Sequence, residues 1–164
     1  MNKTHTGKLR NMASVYLRCA DELLLLFRQG NSIVSNLWIG SAGGHFESSE
    51  INDAKACVLR ELSEELAIEK TEIQNLSLRY VTIRYTGAEL RQNYYFFADW
   101  ETSTYSTPTS TEGTTQWFAL SELEDLPMPL TARAMIDHYI ASGQYTDTLY
   151  GSIASNSSIS FTEL

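Results

Sequence analysis

Cysteine and positive charge are scarce in this chain, and long apolar runs are missing. The two cysteines of its 164 residues, Cys19 and Cys57, lie in apolar stretches with no ligand-like spacing. That pattern argues against a disulfide framework or a thiolate metal site and reads both as reduced core residues. Lys and Arg total 12 against 20 Asp and Glu, a formal net charge of −8. A nucleic-acid polymer is therefore excluded as the expected main partner, because phosphate backbones are held by clustered cations. A small phosphorylated ligand is still allowed, since bound metal ions supply positive charge locally. No apolar run approaches membrane-spanning length and the N-terminus lacks a hydrophobic signal core. Neither a membrane nor export is expected, and the cytoplasm is the default. There is no internal repeat.

What is present fits a globular enzyme, with 43% hydrophobic and 20% charged residues. A chain of this length is enough for one domain, residues 1–164, burying about 70% of its unfolded surface. Strand-like runs at residues 13–19 and 23–27 flank a polar turn, Ala20-Asp21-Glu22, and suggest a hairpin. A further strand is expected over residues 36–40. Runs at 76–85 and 91–100 are separated by Thr86-Gly87-Ala88-Glu89, a second hairpin turn. The Ser/Thr-rich stretch 102–111 reads as a loop, and residues 116–120 as another short strand. Ser121 and Glu124 have the spacing of a capping box opening a brief helix that Pro127 stops. A last helix over residues 131–142 has Met135, Ile136, Tyr139 and Ile140 on one side and Gly143 at its end. The tail after about residue 144 is Ser/Thr/Asn-rich with scattered apolar residues and reads as a flexible tail, with packing or dimerisation as the alternatives. The fold class is mixed α/β.

The most specific stretch is residues 43–68. Asp53 reads as an N-cap, and Val58, Leu59, Leu62 and Leu66 give the following helix an apolar side. At about 100° per residue, Glu61, Glu64 and Glu65 fall within about 100° of one another on its surface. Acids so placed repel by roughly 0.2–0.5 kcal/mol per pair. The cost is relieved by a hard divalent cation, which takes carboxylate oxygens and keeps waters and phosphates as its other ligands. Gly43 and Gly44 follow a strand-like run and free the backbone for a tight turn or close approach to a ligand.

This segment resembles the Nudix box, in which a glycine and a glutamate precede Arg-Glu-aliphatic-x-Glu-Glu-x-Gly-aliphatic. Gly44, Glu50, Arg60, Glu61, Leu62, Glu64, Glu65 and Ile68 stand in that order. Two departures are evident: nine residues rather than seven separate Glu50 from Arg60, and Ala67 replaces the glycine. The longer loop leaves Glu47 and Glu50 as rivals for the first acid.

The resemblance implies an α/β/α sandwich around a mixed sheet and hydrolysis of a diphosphate linkage assisted by Mg2+, with Mn2+ as a substitute. It makes Glu61, Glu64 and Glu65 metal ligands. Glu112 joins them as ligand or general base, with Glu101 and Glu89 as alternatives. Arg60, Glu61, Glu64 and Glu112 form the catalytic set. Arg28, Gly43, Gly44 and Asn93 are the expected substrate contacts. Residues 91–98 and the Glu112-Gly113 and Trp117 region are similar to the branch described as 8-oxo-dGTP diphosphatases. That makes an oxidised purine triphosphate the first substrate expectation. A nucleoside diphosphate linked to another group, such as ADP-ribose or a dinucleoside polyphosphate, is the alternative, and a non-catalytic nucleotide-binding regulator is the third reading. A homodimer is compatible with all three. Alternation puts Arg91, Asn93, Tyr95 and Phe97 on one strand face and Gln92, Tyr94, Phe96 and Ala98 on the other, leaving open which face lines a pocket. His45 has no assigned role.

Overall fold

The computed structural model describes residues 7–30, 36–101, 106–155 and 157–164. A long hairpin organises the sheet. β1 (Lys8–Cys19) turns through Ala20, whose φ is +52°, into β2 (Glu22–Arg28). The two strands pair only near the turn, from Leu17↔Leu24 to Cys19↔Glu22, and then diverge. The gap is filled by β3 (Leu37–Ile39), which pairs with β2, and β4 (Ala42–His45), which pairs with β1. β1 also runs parallel to β6 (Glu89–Asp99), which forms an antiparallel hairpin with β5 (Gln74–Tyr85). β7 (Gly113–Ala119) lines the remaining edge of β2. The sheet is therefore mixed.

Where β1 and β2 part, backbone groups lose their ladder partners. Buried Ser41 replaces them: the Leu17 amide donates to its Oγ at 2.8 Å, and that hydroxyl donates to the Leu24 carbonyl at 2.6 Å. One side chain thus stitches the split from which β4 departs toward the helix.

Strand alternation assigns the two faces. Val15, Leu17, Leu24, Phe96 and Ala98 pack with Cys57, Val58, Leu62 and Leu66 of α1 (Ala54–Leu66). Tyr16, Leu23, Leu25, Tyr95 and Phe97 pack with Ala132, Met135, Ile136 and Tyr139 of α2 (Leu130–Ala141). A helix on each face gives the expected three layers. Leu59 only flanks the α1 core, whereas Cys57 and Glu61 are buried. α1 opens as expected, with Asp53 Oδ1 accepting the Ala56 amide at 3.0 Å, and ends on Ala67 at φ +53°.

Three local expectations change. Gly43 and Gly44 form no turn; they lie within β4, opposite Ser14 and Ala13. The segment beginning at Ser121 is a 3₁₀ turn over Leu120–Glu122, in which Glu122, not Glu124, accepts the Ala119 amide. It starts one residue early because β7 ends at Ala119 and leaves that amide to be capped. The segment after residue 144 adds β8 (Tyr150–Ala154), parallel to β5, and β9 (Thr162–Glu163). Of the loop expected at 102–111, residues 102–105 lie outside the described residues.

Replacing Ser41 by Ala leaves a buried N–H without its acceptor. The Ser41→Ala variant is expected to lose about 1–3 kcal/mol of unfolding free energy, read as a lower denaturant midpoint at unchanged slope. A midpoint equal to wild type would show that the split does not need this bond.

Candidate active site

Arg60 projects from the second turn of α1 and uses all of its N–H groups. Its Nε and Nη2 hold Glu50 at 2.7 and 3.0 Å; Nη1 reaches Glu61 at 2.8 Å and Glu64 at 3.1 Å. Nη2 also donates to the His45 carbonyl at 3.1 Å, tying β4 to the helix. The bidentate grip fixes the loop acid: Glu50 is buried, whereas the exposed Glu47 stands 3.9 Å from Nε. The Arg60 guanidinium holds the Glu50 carboxyl down at about 2. Between Glu50 and Arg60 the chain leaves a 3₁₀ turn over Ser48–Glu50 and bends into Asp53, which caps α1.

The glycines of β4 serve the acids of α1. A Cβ on Gly44 would stand 2.2 Å from Glu61 Oε1, and one on Gly43 2.5 Å from the Ala13 carbonyl. Close approach, rather than a turn, is what requires glycine here. It lets the Gly43 amide donate to Glu65 Oε2 at 3.1 Å. Burial is the main cause pushing the Glu65 carboxyl up to about 7; the Gly43 bond and Arg28 oppose it, and the charges of Glu61 and Glu112 add to it. Glu61 is also raised, first by burial and against the pull of Arg60.

The pairing of Arg28 with Gly113 brings the end of β2 beside the start of β7, where Arg28 Nη2 meets Glu112 Oε2 at 3.0 Å. Arg28, Gly43, Gly44, Glu50, Arg60, Glu61, Glu64, Glu65 and Glu112 are thus one neighbourhood. Asn93 is outside it. It stands opposite Met12 and Thr82 on the strand face shared with Tyr95 and Phe97, which is the face covered by α2. Glu89 bonds Arg91 and Arg10 instead. Two participants left no side-chain signal in the sequence, the Gly43 amide and the His45 carbonyl, because both are backbone groups.

The donor set suits a hard divalent cation: four carboxylates, Glu61, Glu64, Glu65 and Glu112, of which Glu61 and Glu65 have a proton affinity raised first by burial. Among the described residues no three acids, imidazoles or thiols are gathered closely enough to cage an ion unaided.

In the metal-free protein Glu65 has a definite linkage sign. Folded, it keeps its proton up to about pH 7, against 4.5 for the ordinary carboxyl. The folded state therefore binds more protons in that window, and the contribution present below 4.5 is lost as pH rises toward 7. In the presence of a chelator, wild type is expected to lose stability relative to Glu65→Gln between pH 5 and 7. Parallel pH profiles in denaturant melts would show that Glu65 titrates normally.

The sequence matches the NUDIX domain over residues 8–139. Curated proteins provide no match. Solved structures do. A mutator MutT protein from Bacillus halodurans superimposes with TM-score 0.66 at 20% identity, covering 94% of this chain and 97% of that one. The ORF135 protein of E. coli gives 0.65 at 18%, covering 85% and 94%. An Ap4A hydrolase from C. elegans gives 0.64 at 16%, covering 84% and 99%. At these identities the structures support the fold. The domain match over most of the chain goes further: the protein belongs to the NUDIX family of hydrolases, which act on phosphoric anhydrides and generally use divalent metal ions, usually Mg2+.

Proposed function

We propose that this chain hydrolyses a phosphoric anhydride within a nucleoside polyphosphate, with Mg2+ or Mn2+ held by Glu61, Glu64, Glu65 and Glu112. The observation that carries the reading is the convergence on one neighbourhood of the α1 acids, the Gly43 amide and the Arg28–Glu112 pair. When bound, the metal cancels phosphate charge and activates water. Arg60 acts by orienting Glu61 and Glu64 and by pinning the Glu50 loop. Gly43 and Gly44 leave room beside the acids. Arg28, at the end of β2, meets substrate phosphate, and Glu112 beside it serves either as the fourth metal ligand or as the base that takes the proton of the attacking water. The first substrate to test is an oxidised purine triphosphate such as 8-oxo-dGTP, cleaved to monophosphate and pyrophosphate. Asn93 is the proposed partner of its base edge, because its amide both donates and accepts; that contact requires the base to reach the α2 side of the sheet, away from the α1 acids. A nucleoside diphosphate linked to a second group is the other substrate class, favoured by a cleft beside the loop that carries Glu50.

Glu64→Gln and Glu65→Gln keep shape and remove ligand charge, so each is expected to lower kcat with saturating Mg2+ by about 10²-fold or more. Glu69→Gln, outside the cluster, should stay within about twofold of wild type. Near-normal turnover by both cluster variants would remove these acids from the site.

Asn93→Ala should narrow the ratio of kcat/KM for 8-oxo-dGTP over dGTP by about tenfold, corresponding to one lost buried hydrogen bond, with metal dependence unchanged. Competitive turnover of the two nucleotides decides this, and an unaltered ratio dismisses Asn93.

A further inference from the structure

The sheet carries more apolar surface than its two helices cover. By alternation Ala13, Asn11 and Leu9 of β1 point to the α1 side, as do Tyr94, Gln92 and Leu90 of β6 and their partners Val81, Ile83 and Tyr85 of β5. The α1 core takes in Ala13, Phe96 and Ala98 and is bordered by Leu78 and Tyr94. Outward from that border the registers place Asn11, Gln92, Ile83 and Ile153 in one row, and Leu9, Leu90 and Tyr85 in the next. Leu164 lies over Gly151, which pairs with Val81. Leu9, Val81, Ile83, Tyr85, Leu90 and Ile153 belong to neither core.

Four of the seven large apolar side chains that stand exposed among the described residues, Leu9, Tyr85, Ile153 and Leu164, are on this face, and Ile153 is 84% exposed. No charged residue stands in its rows. The same strands put Arg10, Arg91 and Arg84 in register on the opposite face, so alternation has sorted cationic and apolar residues to opposite sides of one end of the sheet. With the half-buried Val81, Ile83, Leu90 and Tyr94 between them, the exposed side chains offer on the order of 600 Å² of apolar surface, the upper end of what a monomer shows and most of the roughly 800 Å² that each partner gives to a standard stable interface. Ile153, the most exposed of them, comes from β8, beyond the NUDIX match over residues 8–139.

We infer that a second copy of this chain docks on this face, the two sheets stacking about 10 Å apart through Leu9, Ile83, Leu90 and Ile153. An uncharged apolar face holds nothing to select an acidic or a basic partner, whereas it is its own complement across a two-fold axis. Gln92 stands mid-row between Asn11 and Ile83 and suits a place on that axis, because an amide both donates and accepts. Leu9 also borders the cleft beside the loop that carries Glu50, so the docked copy becomes part of that cleft's rim.

Sedimentation equilibrium on the full chain, with light scattering as a second readout, tests the docking. Wild type is expected to pass from the mass of one chain to that of two over the micromolar range. Ile153→Glu and Leu9→Glu each bury a carboxylate on both sides of the interface and are expected to weaken the dimer by about a hundredfold or more. Both side chains are exposed, so the denaturant midpoint of each variant should match that of wild type at concentrations where wild type is a single chain. Leu130→Glu, on α2 over the opposite face, should dimerise as wild type does. A wild type that keeps the mass of one chain at every concentration overturns the inference, whether the face then serves a different protein or stays bare. A dimer that survives both Ile153→Glu and Leu9→Glu overturns it as well, because the two copies then meet elsewhere.

Discussion

The arrangement around α1 depends on a single guanidinium. Three carboxylates and a carbonyl, from β4, the following loop and the helix, converge on it: Arg60 is bonded to Glu50, Glu61, Glu64 and the His45 carbonyl at once. Without it the acids would face one another across a partly desolvated space, where unpaired charge is costly. Its planar fork suits this duty better than a lysine ammonium, because Nε and Nη2 grip both oxygens of Glu50 while Nη1 is left for the helix. The same bonds tie the loop before α1 and the end of β4 to the acids of the helix.

The split between β1 and β2 has a corresponding role in the backbone. A hairpin zipped along its whole length would leave no edge for β4, and the two glycines could not reach α1. Ser41 permits the split by satisfying the amide and carbonyl that the divergence strands. The sheet then separates duties by side. Its α1 face meets the acidic helix at the split, and its other face, under α2, is filled by stacked rings such as Phe97 on Tyr139 at 4.1 Å.

The sequence made the helix legible because its signals are local. Asp53, the apolar stripe and the acid spacing all act within 13 consecutive residues, Ala54–Leu66. The hairpin at Thr86-Gly87-Ala88-Glu89 was legible for the same reason, with Gly87 at φ +89°. What escaped depends on distant partners. Gly43-Gly44 looks like a turn until Ala13 and Glu61 are known to crowd it. Glu47 and Glu50 are indistinguishable until a three-residue 3₁₀ turn buries one and exposes the other. The face of Asn93 follows only from which helix lies over Tyr95; β8 is interrupted by Gly151 and Ser152 and β9 is two residues long, so neither declares itself without the neighbour it pairs with, β5 and β8 respectively.

At the end of α1, Ala67 stands where the box pattern has glycine, at a cost that does not fall on chemistry. Ala67 holds a left-handed conformation that disfavours any side chain by roughly 1–2 kcal/mol, and it is kept there by buried Leu66 and Ile68 on either side. The helix still closes, with the Ala67 amide reaching the Leu62 and Ser63 carbonyls. A non-glycine residue here draws on the stability of the fold, and a β-branched replacement at this position would draw on it more sharply still.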